Sequence, residues 1–427
     1  MTALAPAAAT PASLPPVLDQ FRDLFQVRGE EIFEWVANKR ATLGAPFYSS
    51  IDIRHAGFKL APVDTNLFPA GFNNLSQKAR ERAASRVAKR LKEYDRDTAR
   101  VLIIPENHTR NLGYLSNLAA LKSVLELAGC EVEIGSLTAT PEAPLDLVGA
   151  HGEPVQELAL TRDGTLLKTA SGFTPQLILL NNDLTAGLPD LLRGLTQPVV
   201  PRPAQGWHRR RKSIYFDAYE ALAREFASQF AFDPWLINAE FHKCGRVNFG
   251  EKQGLDCVAL GVEKVLHKIR THYARYGISH EPYVYVKSDS GTYGMGIMTV
   301  KSGDEVLEIN KKIRNKMNVI KEGVQSTEVI IQEGVPTFDV IEGAPAEPMV
   351  YAVDGFAVGG AYRVNAERDT EGNLNAAGMR FVGMCDETEK NADSVSVLDC
   401  NFGALGLIAS LASLAARREE YGEQYSI

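Results

Sequence analysis

The stretch Pro282-Tyr-Val-Tyr-Val-Lys-Ser-Asp-Ser-Gly-Thr-Tyr-Gly-Met-Gly-Ile-Met-Thr-Val-Lys301 decides the fold class. A β-rich run ends at Lys287 and Ser288, a loop carrying Gly291, Gly294 and Gly296 follows, and a second β-rich run returns from Ile297 to Val300. Glycines let a backbone approach an anion closely, and the N–H groups of such a turn form an anion-binding concavity. Lys287, at the strand end, supplies the point charge that a phosphate needs. A Walker loop ends in Gly-Lys-Ser/Thr and opens a helix, and a dinucleotide fingerprint also opens a helix. A strand follows here, so both are excluded. What remains is a hairpin that folds over nucleotide phosphates, because three glycines beside a strand-terminal lysine exceed what a surface turn requires. Protein kinases carry such a hairpin, but neither His-Arg-Asp nor Asp-Phe-Gly occurs in the chain.

Outward from this hairpin, short apolar runs alternate with helical patterns. Val101 to Pro105, Glu131 to Gly135 and Leu177 to Leu180 read as buried strands, with helices at Ser76 to Tyr94, Leu115 to Ala128 and Ile214 to about Phe230. That alternation implies an α/β layer with a mostly parallel sheet, whose ligands lie beyond the carboxyl ends of the strands. Glu106-Asn-His-Thr-Arg-Asn111 and Asn181-Asn-Asp183 therefore point at one crevice. Leu18 to Leu43 reads as a helix interrupted near Gly29, Val155 to Thr169 as a hairpin turned at Asp163-Gly164, and Gly403 to Ala416 as a buried helix. From Phe47 to Leu75 the sequence mixes polar, charged and aromatic residues without a sustained period, and is expected to be a long irregular, functional segment.

The composition bounds the partners. The 427 residues carry a net charge of −7, against a polyanion as the main partner, since nucleic-acid binding draws its affinity from clustered Lys and Arg. The basic run Trp207-His-Arg-Arg-Arg-Lys212 is read as a solvated or phosphate-facing turn. Five scattered cysteines, Cys130, Cys244, Cys257, Cys385 and Cys400, are expected to be reduced packing residues in a cytoplasmic protein. No run is long and apolar enough to span a bilayer, and residues 1–16 are expected to be a disordered tail rather than a signal peptide.

Val329-Ile-Ile-Gln-Glu-Gly-Val335 is a buried strand ending in an acid, and Glu347 to Asn365 is a hairpin turned at Asp354-Gly355. Glu371-Gly-Asn-Leu-Asn-Ala-Ala-Gly378 and Val395-Ser-Val-Leu-Asp-Cys-Asn401 follow. With these segments the chain resembles the ATP-grasp superfamily, and the bacterial glutathione synthetases within it. The resemblance implies that Lys287 and the glycine lid cover the phosphates, that Gln332 and Glu333 hold the adenine, and that Arg363 and Asn373 face the phosphates. It also implies that Lys243, from a preceding helix, is a second nucleotide lysine. Asp399 and Asn401 would hold Mg2+, although Asp399 is one methylene shorter than the Glu usual there. A further metal acid lies among Asp386, Glu387 and Glu347, with Asp386 taken as the candidate.

Taken whole, and above all in Val63-Asp-Thr-Asn-Leu-Phe-Pro-Ala-Gly-Phe-Asn-Asn-Leu75 and in Lys287 to Ile297, the chain is similar to the proteobacterial type of glutamate–cysteine ligase. That resemblance implies ATP-dependent joining of the γ-carboxylate of L-glutamate to the amine of L-cysteine. It implies an α/β (α+β) ATP-grasp architecture. The expected parts are an N-terminal substrate-binding segment (17–95), a Rossmann-like layer (96–235), a central lid subdomain (236–332) and a C-terminal ATP-grasp subdomain (333–427). Glutamate brings a second carboxylate and an ammonium, for which Arg54 and Lys59 with Asp64 and Asn66, and Arg110 beside Glu106, are the candidates. His55 and His108 lie in the same loops and serve equally well as plain hydrogen-bonding residues. Other readings are a different ATP-grasp amide ligase, such as a glutathione synthetase, and a regulatory protein binding nucleotide, or RNA through Arg209, Arg210 and Arg211. Neither a nucleic-acid nor a membrane partner is expected, and homo-oligomerisation is left open.

Overall fold

The computed structural model describes residues 15–93, 99–290, 296–317, 320–321, 324–325, 328–384 and 402–425. In chain order the elements begin with α1 (Val17–Leu43), β1 (Tyr48–His55), β2 (Leu60–Asn66) and α2 (Gln77–Glu93). The next are β3 (Arg100–Pro105), α3 (Leu112–Leu127), β4 (Glu131–Ser136), β5 (Leu145–Val148), β6 (Pro154–Asp163), β7 (Leu166–Thr169), β8 (Leu177–Asn181), β9 (Val199–Val200) and α4 (Lys212–Phe230). Then come β10 (Phe241–Cys244), α5 (Leu255–Tyr276), β11 (Val284–Ser288), β12 (Ile297–Val300), α6 (Gly303–Leu307), α7 (Lys311–Met317), β13 (Ile320–Lys321), β14 (Val324–Gln325) and β15 (Val329–Glu333). The last are β16 (Val340–Ile341), β17 (Ala344–Val353), β18 (Phe356–Val364), β19 (Arg380–Gly383) and α8 (Phe402–Tyr425).

Among the described residues three larger sheets organise these strands, and β13 and β14 pair with each other as a separate antiparallel ribbon. The expected parallel layer is present: β6, β4, β3, β8 and β9 pair in parallel in that order, with β5 and β7 added antiparallel to β6. A second sheet runs β10-β15-β11-β12, all antiparallel, and contains the Lys287 strand. A third runs β19-β18-β17-β1-β2, again antiparallel, with β16 on β17. It is built from two segments far apart in the chain. α1 breaks from helical geometry at Arg28, beside Gly29, and Gly164 turns the β6–β7 hairpin at φ +59°. Among the described residues no helix is long and apolar enough to cross a membrane.

The segment expected to be irregular instead contains the β1–β2 hairpin, which forms the β2 edge of the third sheet with β1 paired to β17. Its period was present: Ile51 and Ile53 alternate with Asp52 and Arg54. The polar set faces a cavity and not bulk water, so it reads as charge in a buried segment and hides the strand. Ile51, Ile53, Val350 and Ala352 form the other face and join the core made with α1, α4 and α8. The cysteine expectation also needs correction. The Sγ atoms of Cys244 and Cys257 are bonded, because the loop between β10 and α5 returns on itself, while Cys130 is a free, buried thiol. Cys385 and Cys400 lie outside the described residues.

The cavity side of the third sheet is closed at one end by α2, and Gly359 of β18 sets how closely. A Cβ built at Gly359 would lie 2.4 Å from the Cβ of Ala79 on α2. Gly359→Val is therefore expected to lose about 1–3 kcal/mol through overpacking. Urea denaturation measures this, and adding Ala79→Gly should recover part of the loss.

Candidate active site

The third sheet and the Lys287 sheet enclose a cavity of about 500 Å³. Asp52 and Arg54 of β1, Asp64 and Asn66 of β2, Glu347 of β17 and Arg363 of β18 form its floor, because alternate residues of a strand share one face. Tyr285, Lys287, Ser288 and Gln332 form the opposite wall, and Asn373 closes a side. Residues drawn from across the chain thus meet in one space.

On the floor, four charges alternate. Arg363 donates to Asp52 at 2.8 Å and to Glu347 at 2.5 Å, and Arg54 Nε pairs with Glu347 at 2.6 Å. Burial raises the Asp52 carboxyl against the pull of Arg363, with Glu347 adding to the rise. Arg363 resists the downward push of burial and stays well above its ordinary value, because both carboxylates hold its charge. Arg54 spends its remaining donors on Thr337 Oγ1 at 2.5 Å and on the carbonyl of Gly372 at 2.7 Å. It therefore lines the cavity without offering a free fork, and ties down the loop that bears Asn373.

On the opposite wall, Lys287 Nζ donates to Gln332 Oε1 at 2.5 Å and to the carbonyl of Val63 at 3.0 Å. Burial, reinforced by the nearby Lys212 ammonium, brings Lys287 down to about 7 despite Asp64, Asp52 and Asp289. Burial pushes Asp64 the other way, but Lys212 and Lys287 overcome it and hold the carboxyl at about 2. Lys212 reaches Asp64 at 2.5 Å, so part of the basic run enters the site. The Nε2 of Gln332, fully buried, has no partner among the described residues. Asp289 is buried and accepts from Ser213 N at 2.7 Å and Ser213 Oγ at 2.8 Å, which fastens the end of β11 to the start of α4.

Several expected residues lie elsewhere. Lys59 and Glu333 are both 0% exposed and pair with each other at 2.8 Å, away from the cavity. Glu333 also accepts from Glu240 N, so both side chains are engaged within the protein. Lys243 sits on the strand β10 instead of a helix, exposed, 3.7 Å from both Asp289 and Glu328. Arg110 is exposed in the turn before α3, whose residues Asn111, Gly113 and Tyr114 line the cavity in its place. Gly296 is buried at φ +64°, a conformation that favours glycine. Gly291, Gly294, Asp386, Glu387, Asp399 and Asn401 lie outside the described residues. Sequence reasoning missed Asp52, Lys212 and Tyr285. The two-residue spacing from Arg54 was the available signal for Asp52.

Among the described residues no cluster of three acids, histidines or cysteines is placed to hold a metal ion. The cavity's acids Asp52, Asp64 and Glu347 are each paired with Arg or Lys. A second opening, about 800 Å³ between α4 and α5, is lined by charges already paired with one another, such as Arg224 with Glu220 and Lys268 with Glu240. It contains none of the expected site residues.

The chain matches the glutamate-cysteine ligase (GshA) family over residues 23–420. It is 42% identical to a solved structure from Methylobacillus flagellatus KT, provisionally named gamma-glutamylcysteine synthetase, with 99% of this chain and 100% of that one covered and a TM-score of 0.87. A glutathione synthetase-like effector from Globodera pallida is 11% identical, with 86% and 85% covered and a TM-score of 0.40. D-alanyl-alanine synthetase A from Vibrio cholerae is 11% identical, with 68% and 76% covered and a TM-score of 0.30. No curated protein matches the chain significantly.

The sealed Lys59–Glu333 pair makes a stability prediction. Lys59→Ala leaves the Glu333 carboxylate buried without its counter-ion, at an expected cost of about 3–5 kcal/mol. Replacing both partners, as Lys59→Met with Glu333→Gln, should cost clearly less. Guanidinium denaturation of the two variants decides whether the single loss comes from the stranded charge.

Proposed function

The chain belongs to the glutamate–cysteine ligase family, and on that premise we propose which of its residues carry the reaction. The protein is an ATP-dependent ligase that joins the γ-carboxylate of L-glutamate to the amine of L-cysteine, the first step of glutathione biosynthesis. A carboxylate does not react with an amine at neutral pH. The γ-carboxylate first takes the γ-phosphoryl group of ATP, giving an acyl phosphate and ADP. The cysteine nitrogen then attacks the acyl carbon, phosphate leaves with the C–O bonding pair, and the nitrogen gives up its proton. Such transfers are catalysed by positioning and by charge neutralisation, and water must be kept from the acyl phosphate.

Lys287 and Lys212 neutralise the phosphates in this reading, with Ser288, Gly291, Gly294 and Gly296 as the phosphate hairpin and Gln332 offering its unpaired amide N–H to the nucleotide. Arg363 and Asn373 stand beside the reacting centre, and Asp64 and Asn66 receive the glutamate ammonium. Arg54 acts through the loop it holds. The observation that carries the assignment is the gathering of Lys287, Gln332, Arg363 and Asn373 around one cavity, in a chain whose family uses ATP. Mg2+, held by Asp399 and Asn401 with Asp386, would add charge neutralisation at the phosphates. We place the reaction in the cytoplasm. Engagement of Arg210 by Glu419, Arg211 by Glu328 and Lys212 by Asp64 weighs against an RNA-binding role for the basic run.

Two outcomes test these roles. The folded-state value of Lys287 is depressed, so its charge is lost as pH rises through about 7. ATP affinity of the free enzyme should fall across that range, by up to about tenfold per pH unit. Calorimetric titration either side of it reads the effect, and Lys287→Arg, which cannot deprotonate, should flatten the profile. A wild-type profile already flat removes Lys287 from the phosphates. For the metal, Asp399→Asn should abolish turnover, leave Tm nearly unchanged and shift the magnesium dependence upward. An active variant with normal magnesium dependence places the ion elsewhere.

A further inference from the structure

We propose that the end of the cavity where β19 meets the turn Phe72–Asn74 is the cysteine subsite, with Met349, Met379 and Phe381 forming the wall for the cysteine side chain. The inference rests on the ligase reading above and specifies where the second amino acid enters.

The two ends of the cavity differ chemically. Lys287, Lys212 and Gln332 border one end. At the other, Met349 of β17 and, across β18, Met379 and Phe381 of the β19 segment line the same cavity. Two hydrogen-bonded tethers and one close approach build this end. Tyr351 OH donates to the carbonyl of Ala70 at 2.7 Å and lies 4.0 Å from the Met349 sulfur. Gly71 N and Phe72 N donate to Asn117 Oδ1 of α3 at 2.8 and 3.0 Å. A Cβ built at Gly383 of β19 would sit 3.7 Å from the carbonyl of Asn74. Turn, helix and edge strand therefore close this end together.

Charge selects the occupant. Among the described residues the basic side chain lining this end is Arg363, 3.6 Å from the Met349 sulfur and directly opposite Phe381, and its charge is already held by Asp52 and Glu347, so neither a polyphosphate nor the two carboxylates of glutamate would find a free counter-charge there. Cysteine is a net-neutral zwitterion, and the side-chain amides of Asn73, Asn74 and Asn111 at this end offer donors to a single carboxylate without adding charge. Its CH2–SH group is small, apolar and polarisable, which suits thioether and aromatic neighbours. Met379 and Phe381 remain 40% and 37% exposed beside an otherwise charged cavity, as an apolar patch awaiting a ligand group would be. The amine of a molecule held here points back toward Arg363 and Asn373, where the acyl phosphate forms.

Steady-state kinetics on the full chain test the assignment, with ATP, glutamate, cysteine and serine varied in turn. Both Met379 and Phe381 are exposed enough to change without unfolding the protein, and an unchanged Tm will verify this. Met379→Ser and Phe381→Ser are each expected to raise KM for cysteine about tenfold and to narrow the preference for cysteine over serine. KM for glutamate and for ATP should stay within about twofold, and Met379→Leu should behave as wild type. Unchanged cysteine KM in both serine variants, or a rise in glutamate KM instead, overturns the subsite while the ligase reading stands. Wild-type protein that releases no ADP with glutamate and cysteine together overturns both.

Discussion

Four alternating charges, Asp52, Arg363, Glu347 and Arg54, lie along one face of the third sheet, and most of the architecture follows from the need to keep them paired. Each ion withdrawn from water costs several kcal/mol unless a partner is held in good geometry. Strand register supplies that geometry: Glu347 is the direct partner of Arg363 across β17 and β18, and Asp52 faces Met349 across β1 and β17, within reach of the same guanidinium. A slip of one residue in β1 would turn Ile51 and Ile53 into the cavity and drive the charges under α8. The apolar face and the charged face thus specify the same register.

The wall opposite depends on a like-charge pair. The Lys212 N–H donates to the carbonyl of Asp289, and Ser213 binds the Asp289 carboxylate, so the start of α4 and the end of β11 are one joint. That joint brings Lys212 and Lys287 together, and the Lys212 charge adds to the burial that depresses Lys287. Asp64 offsets the repulsion, and its acidity records how strongly. The cations are held in place by the protein's own acids, and so need little rearrangement when an anion arrives.

How far the sequence was legible follows from what each segment faces. The Lys287 hairpin, the Val329–Glu333 strand and the Asp354-Gly355 turn were legible because local turn chemistry and apolar runs determine them. The parallel layer was legible for the same reason. β1 and β2 were obscured because their polar residues face a cavity, so their alternation lacks the solvent signature. The fate of Lys59 was not legible: its partner Glu333 lies far along the chain, and nothing local distinguishes a sealed ion pair from a ligand-binding lysine. The Cys244–Cys257 contact likewise needs the return of the chain before α5, which spacing alone does not reveal. Arg54 was recognised as a site residue, but its use as a tether to Gly372 depends on a loop that only tertiary structure brings near.

The third sheet pairs β1 and β2 with strands that begin only at Ala344. On a ribosome, the N-terminal hairpin therefore emerges long before its partner exists. At roughly 5–20 residues per second that interval is on the order of tens of seconds. Throughout it, β1 presents an open edge with unmatched amides, and Asp52 and Arg54 have water where Arg363 and Glu347 will later be. Those same charges make the nascent edge a poor template for neighbouring chains. The residues that later line the floor of the cavity thus disfavour edge-to-edge pairing of the newborn polypeptide while it waits for its own far end.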